Sequence, residues 1–233
     1  MDMALKWSSP IAAGRTESLE HGKTYFAVTF DDALQCVAEN ALPELRRREI
    51  PSTIFAVTES LDQFPTWIKD EYRGSTAGKV MSAQQLKNSM SSLVAIGSHT
   101  LTHPKLCNVS EIEARRQIAE SRTALEVVLH TPVTLFSFPY GAFDENLVRW
   151  CREARYERVF TTLPIPALSD SKEFICGRVV VEPTDWPLDF FLKIQGAYSW
   201  LPLAFSLKRK LKQAFQIRNR NHRKMKTQIE SDS

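Results

Sequence analysis

Tyr25-Phe26-Ala27-Val28-Thr29-Phe30-Asp31-Asp32 runs from apolar and β-branched residues straight into two adjacent acids, with His21-Gly22-Lys23 before it. Such a run reads as a short buried strand that ends in carboxylates. In α/β proteins, ligands gather at the carboxyl ends of strands, where loops bring side chains from several strands together. Taken alone, the acid pair is equally a turn or a helix N-cap, because Asp accepts hydrogen bonds from free backbone N–H groups there.

A second stretch supplies the missing partners. Gly97-Ser98-His99-Thr100-Leu101-Thr102-His103-Pro104 follows another apolar run, Leu93 to Ile96 by sequence. Two histidines four apart also suit an exposed loop. With a strand-end carboxylate, though, they make a three-ligand set for a divalent metal, which leaves a coordination position open for water or substrate. A third apolar run ends in Phe136-Ser137-Phe138-Pro139-Tyr140-Gly141.

Helical patterning fills the intervals. Apolar residues at 34, 37, 38, 41, 42 and 45 form a helical stripe that Pro51 closes, and residues 53–57 read as the second strand. Residues 61–78 hold Pro65, Trp67, Tyr72 and two glycines, a long aromatic loop that suits either a sugar-contacting lip or a surface patch. Ser82 with Gln85, and Ser110 with Glu113, read as capping boxes opening helices at 83–90 and after 110. In the second helix Ile112, Ile118, Leu125 and Leu129, with Ala119 and Ala124, give the apolar positions. Glu111, Arg115, Arg116, Glu120, Arg122 and Glu126 give a solvated face. Strands at 133–138, 158–161 and within 174–181 flank a helix at 147–154, and residues 1–22 read as an irregular arm. Strands alternating with helices imply a parallel sheet with right-handed crossovers.

The three strand-end stretches together resemble the polysaccharide deacetylases, the NodB-homology or carbohydrate esterase family four proteins, over residues 25–192. The matching motifs are Thr-Phe-Asp-Asp at 29–32, Ser-His-Thr-Leu-Thr-His at 98–103 and Phe-Pro-Tyr-Gly at 138–141. The resemblance implies an α/β fold of the incomplete, distorted (β/α) barrel type. It implies Asp32, His99 and His103 as metal ligands, Asp31 as catalytic base, and the Tyr140 backbone N–H as oxyanion donor. Pro139, Gly141, Asp185 and Trp186 would line the substrate site, although Gly141 also suits an ordinary turn and Trp186 a buried core position. The implied cofactor is a divalent metal, zinc first, with cobalt, manganese, nickel or iron as alternatives.

Three departures stand out. Ala33 replaces the glycine that commonly follows the two acids. Ser137 stands where many members carry an arginine that buttresses the catalytic Asp, so Asp31 needs another cation. No Leu-x-His motif, whose histidine protonates the leaving amine, is found near the end of the sequence, and His130 and His222 lack its context. The implied reaction is hydrolysis of acetyl groups, N-acetyl favoured, from a sugar of a polysaccharide, oligosaccharide or lipid-linked glycan precursor. The alternative is a carbohydrate-binding relative that keeps the metal site and turns over poorly.

At 233 residues the chain suits one main domain. The expected division is an N-terminal arm at 1–22, a deacetylase domain at 23–195 and a basic amphipathic extension at 196–233. The four cysteines, Cys36, Cys107, Cys151 and Cys176, have no metal-knuckle spacing and read as free buried thiols. Residues 1–207 hold 21 Lys and Arg against 25 Asp and Glu, whereas residues 208–226 hold nine bases and no acid. Tyr198, Trp200, Leu201, Leu203 and Phe205 lead into that basic run, a composition suited to an anionic membrane surface across residues 196–226. Nucleic acid is not expected, because no recognition motif accompanies the charge. With no signal-peptide core in residues 1–20 and no apolar run of about 18–20 residues, the expected location is cytoplasmic, peripheral on the inner membrane face.

Overall fold

The computed structural model describes residues 1–14, 19–67, 78–165, 167 and 173–198. Most of the extension, residues 199–233, and the loop segment 68–77 lie outside the described residues.

Six strands form one parallel sheet in sequential order: β3 (Val28–Phe30), β4 (Ser52–Ala56), β5 (Val94–Ser98), β6 (Leu135–Ser137), β7 (Arg158–Phe160) and β8 (Ile175–Cys176). A smaller parallel pair joins β1 (Ser9–Pro10) to β2 (Tyr25–Phe26). The crossovers carry α2 (Leu42–Arg47), α3 (Ala83–Ser89), α4 (Glu111–Leu129) and α5 (Glu145–Glu153). All six strands run the same way, so Asp31, His99 and Phe138 leave the sheet at one end.

The sheet is curled. In a flat sheet the first and sixth strands would be roughly 24 Å apart at about 4.8 Å per strand. Here Arg178, just past β8, touches Asp31, just past β3, at 2.7 Å. The strand order with these ends in contact is an incomplete (β/α) barrel.

Side-chain alternation sorts two cores. Ile54, Ala56, Ile96, Phe136 and Val159 point outward into a large cluster with Ile118, Leu125, Leu147 and Trp150 from the helices. Phe55, Leu135, Phe160 and Cys176 point inward and pack with Ala13. Burial on both faces is what parallel strands require.

Several sequence expectations need correction. The arm forms a short helix, α1 (Asp2–Trp7), and the strand β1. Asp2 pairs with Arg48 at 2.7 Å, and Trp7 lies edge-on to Phe191. The first long helix opens as a π-turn, Val37–Ala41, before α2. Pro43 near the start of α2 has no N–H to donate back, which displaces the regular α ladder there. A helix not expected from the sequence, α6 (Pro187–Ile194), has Pro at its first position, Asp189 in its first turn and Lys193 in its last.

On α4, Ile112 is 82% exposed, and the buried stripe is Ala114, Gln117, Ile118, Ser121, Leu125 and Leu129. Ser110 accepts from Glu113 N–H as expected, but the Glu113 carboxylate turns to Arg116 and Gln117 and does not return to the cap. Arg122, read as solvated, binds the carbonyls of Val133 and Ala154. The capping box at Ser82 and Gln85 has both bonds present. All four cysteines are free, with Cys151 and Cys176 buried but Cys107 exposed.

Gly97 marks a point of tight inward packing near the site. A Cβ there would meet the Phe55 ring at 2.5 Å and the Leu135 carbonyl at 3.0 Å. Gly97→Ala should therefore destabilise the fold by about 1–3 kcal/mol. Thermal unfolding should show a Tm lower by roughly 3–10 °C, and an unchanged Tm would contradict this packing.

Candidate active site

The acid pair sits in a left-handed turn. Asp32 has φ 68° and Ala33 φ 51°, and Ala33 is fully buried, its carbonyl accepting from Met81 N–H at 2.9 Å. A left-handed backbone costs an alanine about 1–2 kcal/mol relative to glycine. That explains the usual glycine and shows that alanine still fits the turn.

The two carboxylates face different partners. Asp31 Oδ1 and Oδ2 accept from Arg178 Nη1 and Nη2 at 2.7 and 2.8 Å, a bidentate pair. The remaining Arg178 donors reach Thr29 Oγ1 at 3.0 Å, Ser137 Oγ at 2.7 Å and the Thr161 carbonyl at 3.4 Å, so its fork is fully used. Burial pushes the Asp31 carboxyl up. The charges of His99 and Arg178, with hydrogen bonds from Arg178 and Ser137, outweigh it and hold Asp31 at about 2.

Asp32 has no arginine or lysine partner among the described residues. Burial raises its carboxyl, with neighbouring Asp31 adding to the rise, while His99 and the Trp67 hydrogen bond oppose it. Its Oδ1 lies 3.4 Å from His103 Nε2 and 3.8 Å from His99 Nε2. Donor atoms of Asp32, His99 and His103 all fall within 4.8 Å of one another.

Both histidines are buried. His99 Nδ1 lies 2.7 Å from the Ser137 carbonyl, a contact that takes the Nδ1–H and leaves Nε2 as the free lone pair. Burial, then the charge of His99, holds the His103 imidazole down at about 3, so it is neutral at ordinary pH; Asp31 opposes this only in part. Its buried Nδ1 has no hydrogen-bond partner in the structure.

This donor set fits a metal. Ligand atoms at about 2.1 Å around a tetrahedral ion stand roughly 3.4 Å apart, close to the observed 3.4 and 3.8 Å spacings. A buried carboxylate with a raised pKa, faced by two imidazoles, is also a site that a cation relieves.

Aromatic residues wall the cluster. Trp67 Nε1–H donates to Asp32 Oδ1 at 3.0 Å, and its ring stacks on His103 at 4.4 Å between centroids. Tyr140 lies edge-on to His103 at 4.8 Å. Tyr140 has φ 59°, and its N–H meets no backbone carbonyl among the described residues. Pro139 is buried, and Gly141 has φ 63°, where any Cβ would run into Thr162.

Asp185 and Trp186 stand at the entry to α6. Asp185 pairs with Lys193 at 2.6 Å and accepts from Glu182 N–H at 3.0 Å, fixing the entry to α6. Trp186 is 77% exposed at the N-cap of α6. Neither touches Asp31, Asp32, His99 or His103 among the described residues. His130, left-handed at φ 54°, ends α4, which returns the chain to the opposite end of the sheet.

Arg178 carries no expectation from the sequence, and Trp67 is expected only as part of an aromatic loop, yet both touch the acid pair. The trace of Arg178 was indirect: serine at 137 left Asp31 without a cation, and Arg178 follows the last strand through Gly177. A Cβ at Gly177 would strike the carbonyls of Ile165 and Leu163, which fixes where Arg178 begins.

A family profile described as polysaccharide deacetylase matches residues 19–159. The YxkH protein of Bacillus subtilis, described as a candidate polysaccharide deacetylase, is 24% identical over 156 residues, 67% of this chain and 51% of that protein. A peptidoglycan-N-acetylglucosamine deacetylase of Bacillus cereus is 28% identical over 137 residues, 58% of this chain and 43% of that protein. The chain thus spans about half the length of these relatives. The Streptococcus pyogenes deacetylase PplD, solved with acetate, superposes with a TM-score of 0.67 at 17% identity over 82% of each chain. IcaB from Ammonifex degensii gives 0.66 at 21% identity over 85% of each chain. At these identities the likeness is one of fold.

The depressed Asp31 carboxyl sets a pH window for stability. Its native value, about 2 against an ordinary 3.8, contributes about 2 kcal/mol that is fully present above pH 4 and lost as pH falls toward 2. Arg178→Gln removes the part of that contribution that its charge and hydrogen bonds supply, the effects of His99 and Ser137 remaining. In denaturant unfolding, the gap between native protein and variant should be largest at pH 5 and should narrow toward pH 2. A gap independent of pH would show that the ion pair does not set the Asp31 pKa.

Proposed function

Because the chain belongs to the polysaccharide deacetylase family, we propose that it is a metal-dependent hydrolase removing acetyl, N-acetyl by preference, from a sugar of a polysaccharide, oligosaccharide or lipid-linked glycan precursor. The observation that carries this reading is the unequal environment of two adjacent carboxylates: Asp31 is clamped by Arg178, whereas Asp32 faces two histidines without a cation.

Asp32, His99 and His103 would hold the ion, zinc as first choice from the two nitrogen donors and one oxygen. When bound, a divalent ion supplies Lewis acidity, which polarises a carbonyl and acidifies water. Arg178 keeps Asp31 ionised and fixed, so Asp31 can take the proton of the attacking water. From its left-handed turn, the Tyr140 N–H would be presented to the oxygen that gains charge. One such donor is typically worth on the order of 100-fold in rate.

Proton balance also points to Asp31. Without a late Leu-x-His histidine, Asp31 itself would return the proton it took from water to the nitrogen as the C–N bond breaks.

The catalytic unit is taken as residues 23–195, preceded by the arm at 1–22. The extension is proposed to meet an anionic membrane surface through residues 196–226, with the protein peripheral on a cytoplasmic membrane face. That part rests on sequence alone. No helix among the described residues is long and apolar enough to cross a membrane.

Acetate release from N-acetylated oligosaccharides, measured on metal-stripped protein with and without added Zn²⁺, tests the activity. Asp31→Asn should keep bound metal by elemental analysis and lose at least 100-fold in turnover. Asp32→Asn, His99→Ala and His103→Ala should lose the metal itself. Equal metal loss from Asp31→Asn and Asp32→Asn would reject the division of roles. For the extension, truncation after Ser206 should abolish cosedimentation with anionic liposomes and leave hydrolysis of a small substrate intact; binding to neutral and anionic liposomes alike would reject an electrostatic anchor.

A further inference from the structure

The turn from His99 to His103 is strained. Thr100 has φ 71° and His103 φ 61°, both left-handed, and Thr100 is β-branched. Such residues cost of order 1–3 kcal/mol each and persist only where the surroundings over-determine them. Part of the restraint is local: His103 N–H donates to Thr100 Oγ1 at 3.0 Å. Part comes from the segment after β4, where Thr58 and Glu59 N–H donate to the carbonyls of Thr100 and Leu101 at 3.2 and 2.9 Å.

Two further N–H groups of the turn reach one side chain. Gln117, on the buried stripe of α4 and 1% exposed, accepts from both Leu101 N–H and Thr102 N–H through Oε1, each at 3.0 Å. Its Nε2 donates to Thr102 Oγ1 and Glu113 Oε1, each at 2.8 Å. Glu113 is gripped by Arg116 through two bonds of 2.9 Å. Rotating the amide by half a turn would set its NH₂ against two N–H donors and its oxygen against the Glu113 carboxylate. Only one orientation is compatible with its partners.

We propose that Gln117 is a positioning residue for the metal site: its amide, oriented by Glu113, fixes the 99–103 turn and so the direction in which His103 presents its imidazole. This rests on the reading of Asp32, His99 and His103 as metal ligands. Gln117 touches none of them and acts only through the backbone of Leu101 and Thr102. Supporting partners of this kind typically contribute 10–100-fold to metal affinity.

The test is Zn²⁺ affinity by competition against a chromophoric chelator, with thermal unfolding in chelator as the measure of fold. Gln117→Met keeps the volume and removes the amide; it should weaken Zn²⁺ binding by about 10–100-fold. The double exchange Gln117→Glu with Glu113→Gln keeps an acceptor for both N–H groups and a donor–acceptor pair between positions 113 and 117, and should recover most of that loss. Glu113→Leu leaves Gln117 in place but removes the acceptor that holds its Nε2. It alters a partly exposed position, so it remains informative if the Gln117 variants fail to fold, and it should weaken binding several-fold. Wild-type affinity in folded Gln117→Met, or in Glu113→Leu when the former does not fold, overturns the proposal and leaves the metal site standing. Native protein that binds no Zn²⁺ overturns the metal site and this inference together.

Discussion

The fold closes on one ion pair. Asp31 and Arg178 are 147 residues apart in sequence and belong to the two outer strands of the sheet. No backbone ladder joins those strands, so the guanidinium spans the gap. It also meets Thr29 and Ser137 and lies 5.4 and 5.9 Å from the rings of Phe55 and Phe160. One side chain therefore contacts β3 and β6 through hydroxyls and β4 and β7 through aromatic faces. Burying a charge is tolerable only when its donors are satisfied, and here all of them are. The sheet's curvature and the electrostatics of Asp31 have a common source.

Strain collects where the chemistry is. Of the nine non-glycine residues with left-handed backbone among the described residues, Asp32, Ala33, Thr100, His103 and Tyr140 lie at the site. Each turns the chain sharply as it leaves a strand, which lets side chains from three loops converge on a single point. The opposing stabilisation comes from ordinary packing: β4 is buried along its whole length, and Ile118, Leu125 and Phe136 are fully enclosed behind it. The site can hold unfavourable torsions because the layer beneath it does not.

Local signals in the sequence were reliable and long-range ones were not. The strands ending at Phe30, Ser98 and Ser137, the Ser82 cap and the histidine pair are all written in spacings of a few residues. The sheet order followed from them. Arg178 was not legible because nothing within twenty residues of it mentions Asp31; its role exists only once the sheet curls. Gln117 was hidden because a polar residue on a buried stripe breaks the periodicity by which that stripe is found. Ile112 was misassigned for the converse reason, an apolar side chain just outside it. Trp67 carries no pattern of its own in a loop, and its hydrogen bond to Asp32 is visible only in three dimensions. The α6 helix had start and stop signals in Pro187 and Lys193, but its apolar composition obscured any amphipathic face.

The 147-residue span of the ion pair also has a consequence in time. Synthesis proceeds from the N-terminus, so Asp32, His99 and His103 are all made by residue 103, while the guanidinium that pairs with Asp31 waits for residue 178. Every nascent chain therefore passes through an interval in which the cluster's side chains exist and Asp31 has no guanidinium to meet. The closing contact of the curled sheet is in this sense the last to become available, arriving with the segment after β8.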